Sequence, residues 1–188
     1  MAERLVVDGV MASFADLARA AGVSVPTLRH YFGDREGAVV ATFQAMDVSS
    51  RDLLEALSDP GPHALRESLQ HWATRTVDGF RHYGVGNLFA GALSHGLHDP
   101  VIGPAFVKYV LEPSIALCER LLQRHRERGE IDIPDDELRG AALSLLSPLV
   151  LALLHQDALH GKTERPLDVR AFAARHVDRF LNGYGPAI

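Results

Sequence analysis

The chain has 188 residues, of which 47% are hydrophobic and 23% are charged. This length suffices for one large core or for a small domain fused to a larger one, and the apolar content excludes disorder for the bulk of the chain. The net charge of −5 argues against a general nucleic-acid binder, because phosphate neutralisation supplies most non-specific affinity. The single cysteine, Cys118, excludes a disulfide framework and a multi-cysteine metal site.

The first twelve residues contain only a short apolar segment. Ala2 to Val7 are long enough for one final helical turn, and Asp8-Gly9 is interpreted as a break after it. No cationic segment followed by an apolar run opens the chain, which favours a cytoplasmic protein.

The segment from Ser13 to Arg35 predicts two short helices joined by a tight turn. Ser13 and Ser24 stand where N-caps belong, and Gly22 can adopt the positive φ that ends a helix. Apolar residues with helical spacing form one face of the first helix: Phe14, Leu17, Ala18 and Ala21. We expect Val23 to tuck under both helices, and Leu28 and Phe32 to face the first helix.

The outer face of the second helix is predicted to be polar and cationic. It carries Thr27, Arg29 and His30, while for Tyr31 the pattern leaves an outward and a partly buried placement open. A short rigid helix with such a face is shaped for the major groove of DNA. The alternative for the pair of helices is an ordinary helical hairpin in an all-α enzyme.

The same segment resembles the DNA-binding domain of TetR-type transcriptional regulators. The similarity lies in the pattern Leu17-Ala18-x-x-Ala21-Gly22-Val23-Ser24-x-x-Thr27-Leu28-x-x-Tyr31-Phe32-x-x-Arg35-Glu36. The resemblance implies a helix-turn-helix DNA-binding domain over residues 1–50, with its first helix apparently shortened, and a helical effector-binding and dimerisation domain over residues 51–188. The implied DNA contacts are Ser24, Thr27, Arg29, His30, Tyr31 and Arg35.

The sequence departs from the family pattern at two positions of the second helix and in its charge. Arg29 stands where the family more often has Tyr, and Pro26 occupies a commonly polar position. Residues 1–50 hold four arginines and six acidic residues, a net charge of −2, although residues 24–35 are locally basic.

The remaining chain predicts only helices, so the fold class is all-α. No long alternation of Val, Ile and Thr is present, and apolar residues recur at helical spacing. Pro104 and Pro113 should kink the helical stretch that contains them. The predicted segments are 34–58, 63–82, 85–97, 101–129, 135–160 and 167–183.

The segment over residues 135–160 has apolar side chains on more than one face. Such a helix must be buried on two sides, and a chain of this size offers one. We therefore expect a homodimer in which residues 135–160 and 167–183 of two copies form a four-helix, isologous interface. The longest apolar run, Ala141 to Leu154, is too short to span a bilayer, so no membrane partner is expected.

The resemblance also implies a pocket for an unknown small-molecule effector in the body of the protein. Aromatic residues at helical spacing are usually core, so each candidate has core packing as its alternative. The candidates are Trp72, Thr76, Phe80, Phe89, His95, Phe106, Tyr109 and Cys118.

Metal, cofactor and enzyme sites are not indicated by the sequence. The pairs His95 with His98 and His155 with His160 supply too few convergent ligands for zinc. No cofactor motif, nucleophile elbow, phosphate loop or pair of catalytic carboxylates is recognisable.

Taken together, these features predict a regulator, most simply a ligand-responsive repressor that binds a near-palindromic double-stranded DNA operator as a homodimer. The alternative is a helical ligand-binding or interaction protein without effective DNA binding, which the acidic head and short first segment favour.

Overall fold

A computed structural model describes residues 6–7 and 10–184, with side chains described from residue 12 onward. Two short strands come first: β1 (Val6–Val7) and β2 (Val10–Met11) pair antiparallel, with Val6 opposite Met11 and Val7 opposite Val10. The expected helical turn is therefore wrong for Val6 and Val7, because β-branched side chains favour a pleated strand. The expectations for residues 2–5 and for the break at residues 8–9 lie outside the described residues.

Three helices follow, and each begins or ends at a residue that the sequence marks. α1 (Phe14–Ala20) begins after Ser13, whose Oγ accepts a hydrogen bond from the backbone N–H of Asp16 at 3.2 Å. α2 (Val25–Phe32) ends at Gly33, which has a φ of 76° that L side chains rarely adopt. α3 (Arg35–Ser58) begins after Asp34, whose Oδ1 accepts from the backbone N–H of Gly37 at 2.8 Å.

The rest of the described chain is also helical, which confirms the all-α fold class. A π-helical turn at Val107–Leu111 joins two helices of the predicted kinked segment, and a second one, Leu154–Ala158, extends another helix. A 3₁₀ turn lies at Gly161–Thr163. The helices are α4 (Leu65–His82), α5 (Val85–Gly96), α6 (Ile102–Phe106), α7 (Glu112–Glu127), α8 (Leu138–Leu153) and α9 (Val169–Tyr184).

The described chain divides into two compact units. The first unit holds the described residues up to Arg51 together with Gly84–Pro113, and the second holds Asp52–Tyr83 and the residues from Ser114 onward. The first unit thus includes α5 and α6, which lie within the predicted body.

The first unit is built around the helix-turn-helix pair and α5. Leu17 of α1 and Leu28 of α2 are fully buried, as their helical spacing predicted. The backbones of β1 and β2 lie beside α5. Phe106 packs against both Phe43 and Phe89, with ring centroids 6.0 and 5.2 Å apart. Val23 is 39% exposed, so the expectation that it tucks under both helices is wrong.

The second unit has a contiguous apolar core to which α4, α7, α8 and α9 contribute. Its largest fully buried side chains include Leu69, Leu121, Leu145 and Leu149. Polar contacts fix the end of α3 within this unit: Arg124 donates hydrogen bonds to Ser58 Oγ (3.0 Å) and to Glu55 Oε1 (2.5 Å).

The outer face of α8 exposes the leucines Leu143 and Leu151 beside the serines Ser144 and Ser147, although its inner face is buried. Leu151 is 67% exposed and Leu143 is 38% exposed, whereas Leu145 and Leu149 are buried. With the π-helical turn, the helical stretch Leu138–Ala158 has 21 residues and a mean hydropathy of 1.6, which is long and apolar enough to cross a membrane. This stretch extends beyond the apolar run Ala141 to Leu154 at both ends, and core helices of water-soluble proteins have the same length and composition.

Candidate nucleic-acid interface and effector-site residues

The outward face of α2 is the most exposed helical surface of the helix-turn-helix pair. Leu28 is its buried residue and Phe32 is half-buried, while the other six residues of α2 are exposed. Tyr31 is 73% exposed, so its outward placement holds. Its ring lies edge-on to that of His30, with centroids 5.3 Å apart. No residue of α2 is acidic, and the face therefore combines neutral polar and cationic groups.

Two of the predicted DNA contacts also build the start of α2. Ser24 Oγ accepts from the backbone N–H of Thr27 at 3.2 Å and lies 2.7 Å from Thr27 Oγ1. The cap places both hydroxyls at the positive end of the helix, where the helix dipole favours a phosphate oxygen.

The arginines of this region differ in what holds their guanidinium groups. Arg19 donates to Asp16 Oδ1 at 2.6 Å. Arg35 donates from Nε to the carbonyl oxygen of Ala12 at 3.2 Å and lies 3.7 Å from Glu36. Arg29 forms no ion pair with any carboxylate among the residues that the structure describes. Its guanidinium carbon lies 5.8 Å from the centroid of the Phe14 ring.

Asp16 is the acidic group of α1, and its negative charge is paired with Arg19. Its pKa lies below the ordinary value of 3.8, first because the Ser13 hydroxyl donates to it at 2.6 Å and then because Arg19 does so. The carboxylate therefore stays ionised and paired, so its charge is partly cancelled beside the exposed face of α2.

Four candidate effector residues belong to the second unit. Trp72 and Cys118 are buried in its contiguous core, and the partly buried Phe80 packs against that core. The Thr76 hydroxyl donates to the carbonyl oxygen of Trp72 at 3.0 Å. Burial raises the pKa of the Cys118 thiol to about 12, so it is neither a thiolate ligand nor a nucleophile at neutral pH.

The other four candidates belong to the first unit. Phe89 and Phe106 are buried and lie edge to face. His95 is half-buried in the last turn of α5. Tyr109 accepts a hydrogen bond from Gln44 Nε2 at 3.0 Å, which lowers the pKa of its phenol, and Lys108 beside it lowers the pKa further.

The part of the chain with described side chains brings together no group of three or more His, Cys, Asp or Glu residues that could hold a metal ion. The pairs of His95 with His98 and of His155 with His160 thus do not gain further ligands there.

Residues 59–180, more than half of the chain, match the family model for the tetracyclin repressor-like C-terminal domain. The chain belongs to the tetracyclin repressor-like family. The resemblance that the Ser13–Arg35 segment indicated is thereby confirmed by an independent part of the chain.

Solved structures of this tetracyclin repressor-like fold cover nearly the whole protein. A putative TetR-family transcriptional regulator from Mesorhizobium loti is 20% identical, with a TM-score of 0.80 over 98% of this chain and 94% of that one. Reduced NemR from E. coli is also 20% identical, with a TM-score of 0.70 over 95% and 89%.

A third similar structure is a complex with a small molecule. SmeT, a repressor of a multidrug efflux pump in Stenotrophomonas maltophilia, is 16% identical in its triclosan complex, with a TM-score of 0.64 over 93% and 82%. At these identities the similarity establishes the shared fold. No curated protein matched the sequence.

Sequence reasoning missed one feature of the interface, the cation–π contact between Arg29 and Phe14. Phe14 was assigned to the inner apolar face of α1, but it is only half-buried. The signal that could have found it is the aromatic residue directly after the N-cap, whose ring is free to extend beyond the packed face.

Proposed function

We propose that this protein is a DNA-binding transcriptional repressor that acts as a homodimer on a near-palindromic operator and is released by a small-molecule effector. The observation that carries the proposal is the exposed, acid-free outer face of α2, on which Arg29 has no carboxylate partner among the described residues. We place DNA binding in residues 1–50 and effector binding and dimerisation in residues 51–188, in a cytoplasmic protein.

The proposed interface uses α2 in the major groove. Thr27, Arg29, His30 and Tyr31 would face base edges and phosphates, and the positive end of α2 at Ser24 would face a phosphate. Arg35 keeps N–H groups for a phosphate besides the one that it donates to Ala12, because a guanidinium carries five. Two copies related by a two-fold axis would require two similar half-sites.

Effector release follows from differential affinity for two states of the dimer. SmeT combines the repressor role with binding of triclosan, which supports an apolar organic effector for this protein as well. Within the second unit the candidates Thr76 and Phe80 are part-exposed, and within the first unit the candidates His95 and Tyr109 are part-exposed.

The test measures fluorescence anisotropy of a labelled duplex that carries the DNA upstream of the gene. Full-length protein should bind at low salt, and the logarithm of its affinity should fall linearly with the logarithm of salt concentration. Arg29→Ala should weaken binding by roughly tenfold or more, as expected for loss of one good base or phosphate contact. Arg75→Ala is the control, because it removes one exposed arginine of α4 in the second unit and should change binding little.

Size-exclusion chromatography with light scattering must show that Arg29→Ala keeps the oligomeric state of the wild type. Equal affinity of Arg29→Ala and wild type would mean that α2 does not present this face to DNA.

A helical ligand-binding protein without effective DNA binding is the second candidate function. It is favoured by the net charge of −2 over residues 1–50 and by the engagement of Arg35 with Ala12. Absence of any anisotropy change at low salt, for both the upstream duplex and random duplex DNA, would favour it over the repressor. In either case we propose binding rather than catalysis as the activity.

A further inference from the structure

We propose that Phe14 is a positioning residue for Arg29, and that this cation–π pair gives the protein its preference for a guanine at one position of each half-site. This inference rests on the proposed DNA-binding function and assigns to it a specific contact. Phe14 acts through Arg29 and itself touches no base.

The pairing joins two elements that are separate in sequence. Phe14 is the first residue of α1, and Arg29 lies in the middle of α2. The guanidinium carbon of Arg29 lies 5.8 Å from the centroid of the Phe14 ring, within the range of a cation–π contact. Because the ring is half-buried, packing restricts its rotamers. The exposed arginine therefore contacts a ring that moves little.

The carboxylate of α1 that could compete for Arg29, that of Asp16, already binds other groups. The carboxylate of Asp16 binds the Ser13 hydroxyl and the guanidinium of Arg19, both at 2.6 Å. Among the described residues Arg29 has no carboxylate within 4.0 Å, so the aromatic platform is its defining contact. A long arginine side chain without such a platform would sample many rotamers, and ordering it on DNA would oppose binding.

The chemistry of a guanidinium held in this way favours guanine. A cation–π contact supplies no hydrogen-bond acceptor, so the N–H groups of Arg29 remain available for DNA. Guanine presents two acceptors, O6 and N7, side by side in the major groove, and a bidentate arginine matches them. A phosphate would accept the same N–H groups but would carry no sequence preference.

The test is selection of bound duplexes from a library with a randomised core, followed by sequencing. The wild type should yield a two-fold symmetric motif with one strongly preferred guanine per half-site. Arg29→Ala and Arg29→Lys should lose that preference, about tenfold or more over the other bases, while the rest of the motif persists. Phe14→Leu should reduce the guanine preference at the same position by roughly threefold or more, and Phe14→Tyr should retain it.

Two controls separate positioning from folding. Arg75→Ala, which removes an exposed arginine of α4 outside this pair, should give the wild-type motif. Far-UV circular dichroism and thermal unfolding should show that Phe14→Leu folds as the wild type does. A merely structural role of Phe14 would weaken all positions of the motif together, and this result would overturn the inference.

The other outcomes are equally decisive. A Phe14→Leu motif identical to the wild-type motif would overturn the role of Phe14. Uniform weakening by Arg29→Ala across all sequences would identify Arg29 as a phosphate contact and overturn the guanine preference. Failure of the wild type to bind any duplex would instead reject the proposed function, a result that differs from all of these.

Discussion

At the scale of single residues, the environment of each arginine decides what it can offer to DNA. Arg19 is exposed, yet its charge is matched by Asp16 at 2.6 Å. Arg35 is tied to the backbone of Ala12. The guanidinium carbon of Arg29 lies over the ring of Phe14, and Arg29 has no carboxylate partner among the described residues. Net charge over residues 1–50 therefore does not describe the outer face of α2, which carries no acidic residue.

Cys118 provides a residue-scale prediction about the core of the second unit. Burial raises the pKa of its thiol to about 12, so on the order of one thiol in 10⁴ is ionised at pH 8. In native protein we expect labelling by Ellman's reagent to be slow and limited by opening of the core. In denaturing urea one thiol per chain should react at once, since the chain has a single cysteine. Fast, complete labelling of native protein would contradict the burial of Cys118.

At the scale of elements, helix bounds were predictable because each helix has both a periodic apolar face and an end signal. α3 was predicted over residues 34–58 and spans Arg35–Ser58. The π-helical turn Val107–Leu111 was not predictable, since five residues cannot distinguish a wider turn from the kink that Pro113 predicts. The strands β1 and β2 were not predicted, because two residues each are too few for alternation to distinguish a strand from a helical turn.

The residues of the candidate interface were predicted better than their contacts. Capping by Ser24 and the outward placement of Arg29 follow from local spacing alone. The cation–π contact between Phe14 and Arg29 depends on the angle between two helices and on side-chain rotamers, which no local pattern encodes. The effector candidates were chosen by resemblance, and Trp72 illustrates why this is difficult, because a buried aromatic residue has the same periodicity in a core and in a pocket wall.

The corner between α5 and α6 provides a prediction at the element scale. Asp99 Oδ1 accepts hydrogen bonds from the backbone N–H groups of Ile102 (2.9 Å) and Val101 (2.8 Å), which hold its pKa below the ordinary value of 3.8. A side chain at Gly103 would lie 2.4 Å from the carbonyl oxygen of Gly96, so the corner is tightly packed. Asp99→Ala should lower the free energy of unfolding by about 1 kcal/mol, as for loss of a helix cap.

The ionised form of Asp99 makes this contribution dependent on pH. Because its folded pKa is depressed, the stabilisation is present above the ordinary value of 3.8 and is lost as the pH falls through the lower folded pKa. Urea unfolding should therefore show Asp99→Asn less stable than wild type by a constant amount from pH 7 to pH 4, with the difference shrinking below that. Asp52→Asn, at an exposed position of α3, is the control. A difference that stayed constant in stronger acid would contradict the role of the charge.

At the scale of the whole molecule, the exposed leucines of α8, Leu143 and Leu151, predict the surface through which two copies associate. Leu151 is 67% exposed, and in an isologous interface it would be buried once in each copy. Loss of two buried leucines costs about 3 kcal/mol or more, so Leu151→Glu should weaken the dimer roughly a hundredfold or more. Light scattering should then report the monomer mass of 20.5 kDa at concentrations where wild type is dimeric.

Leu97→Glu changes a leucine that is 74% exposed in the other unit and should leave the dimer intact. If Leu97→Glu dissociated the dimer and Leu151→Glu did not, the interface would lie on the first unit. Dissociation by Leu151→Glu should also reduce operator affinity, because a monomer contacts one half-site rather than two.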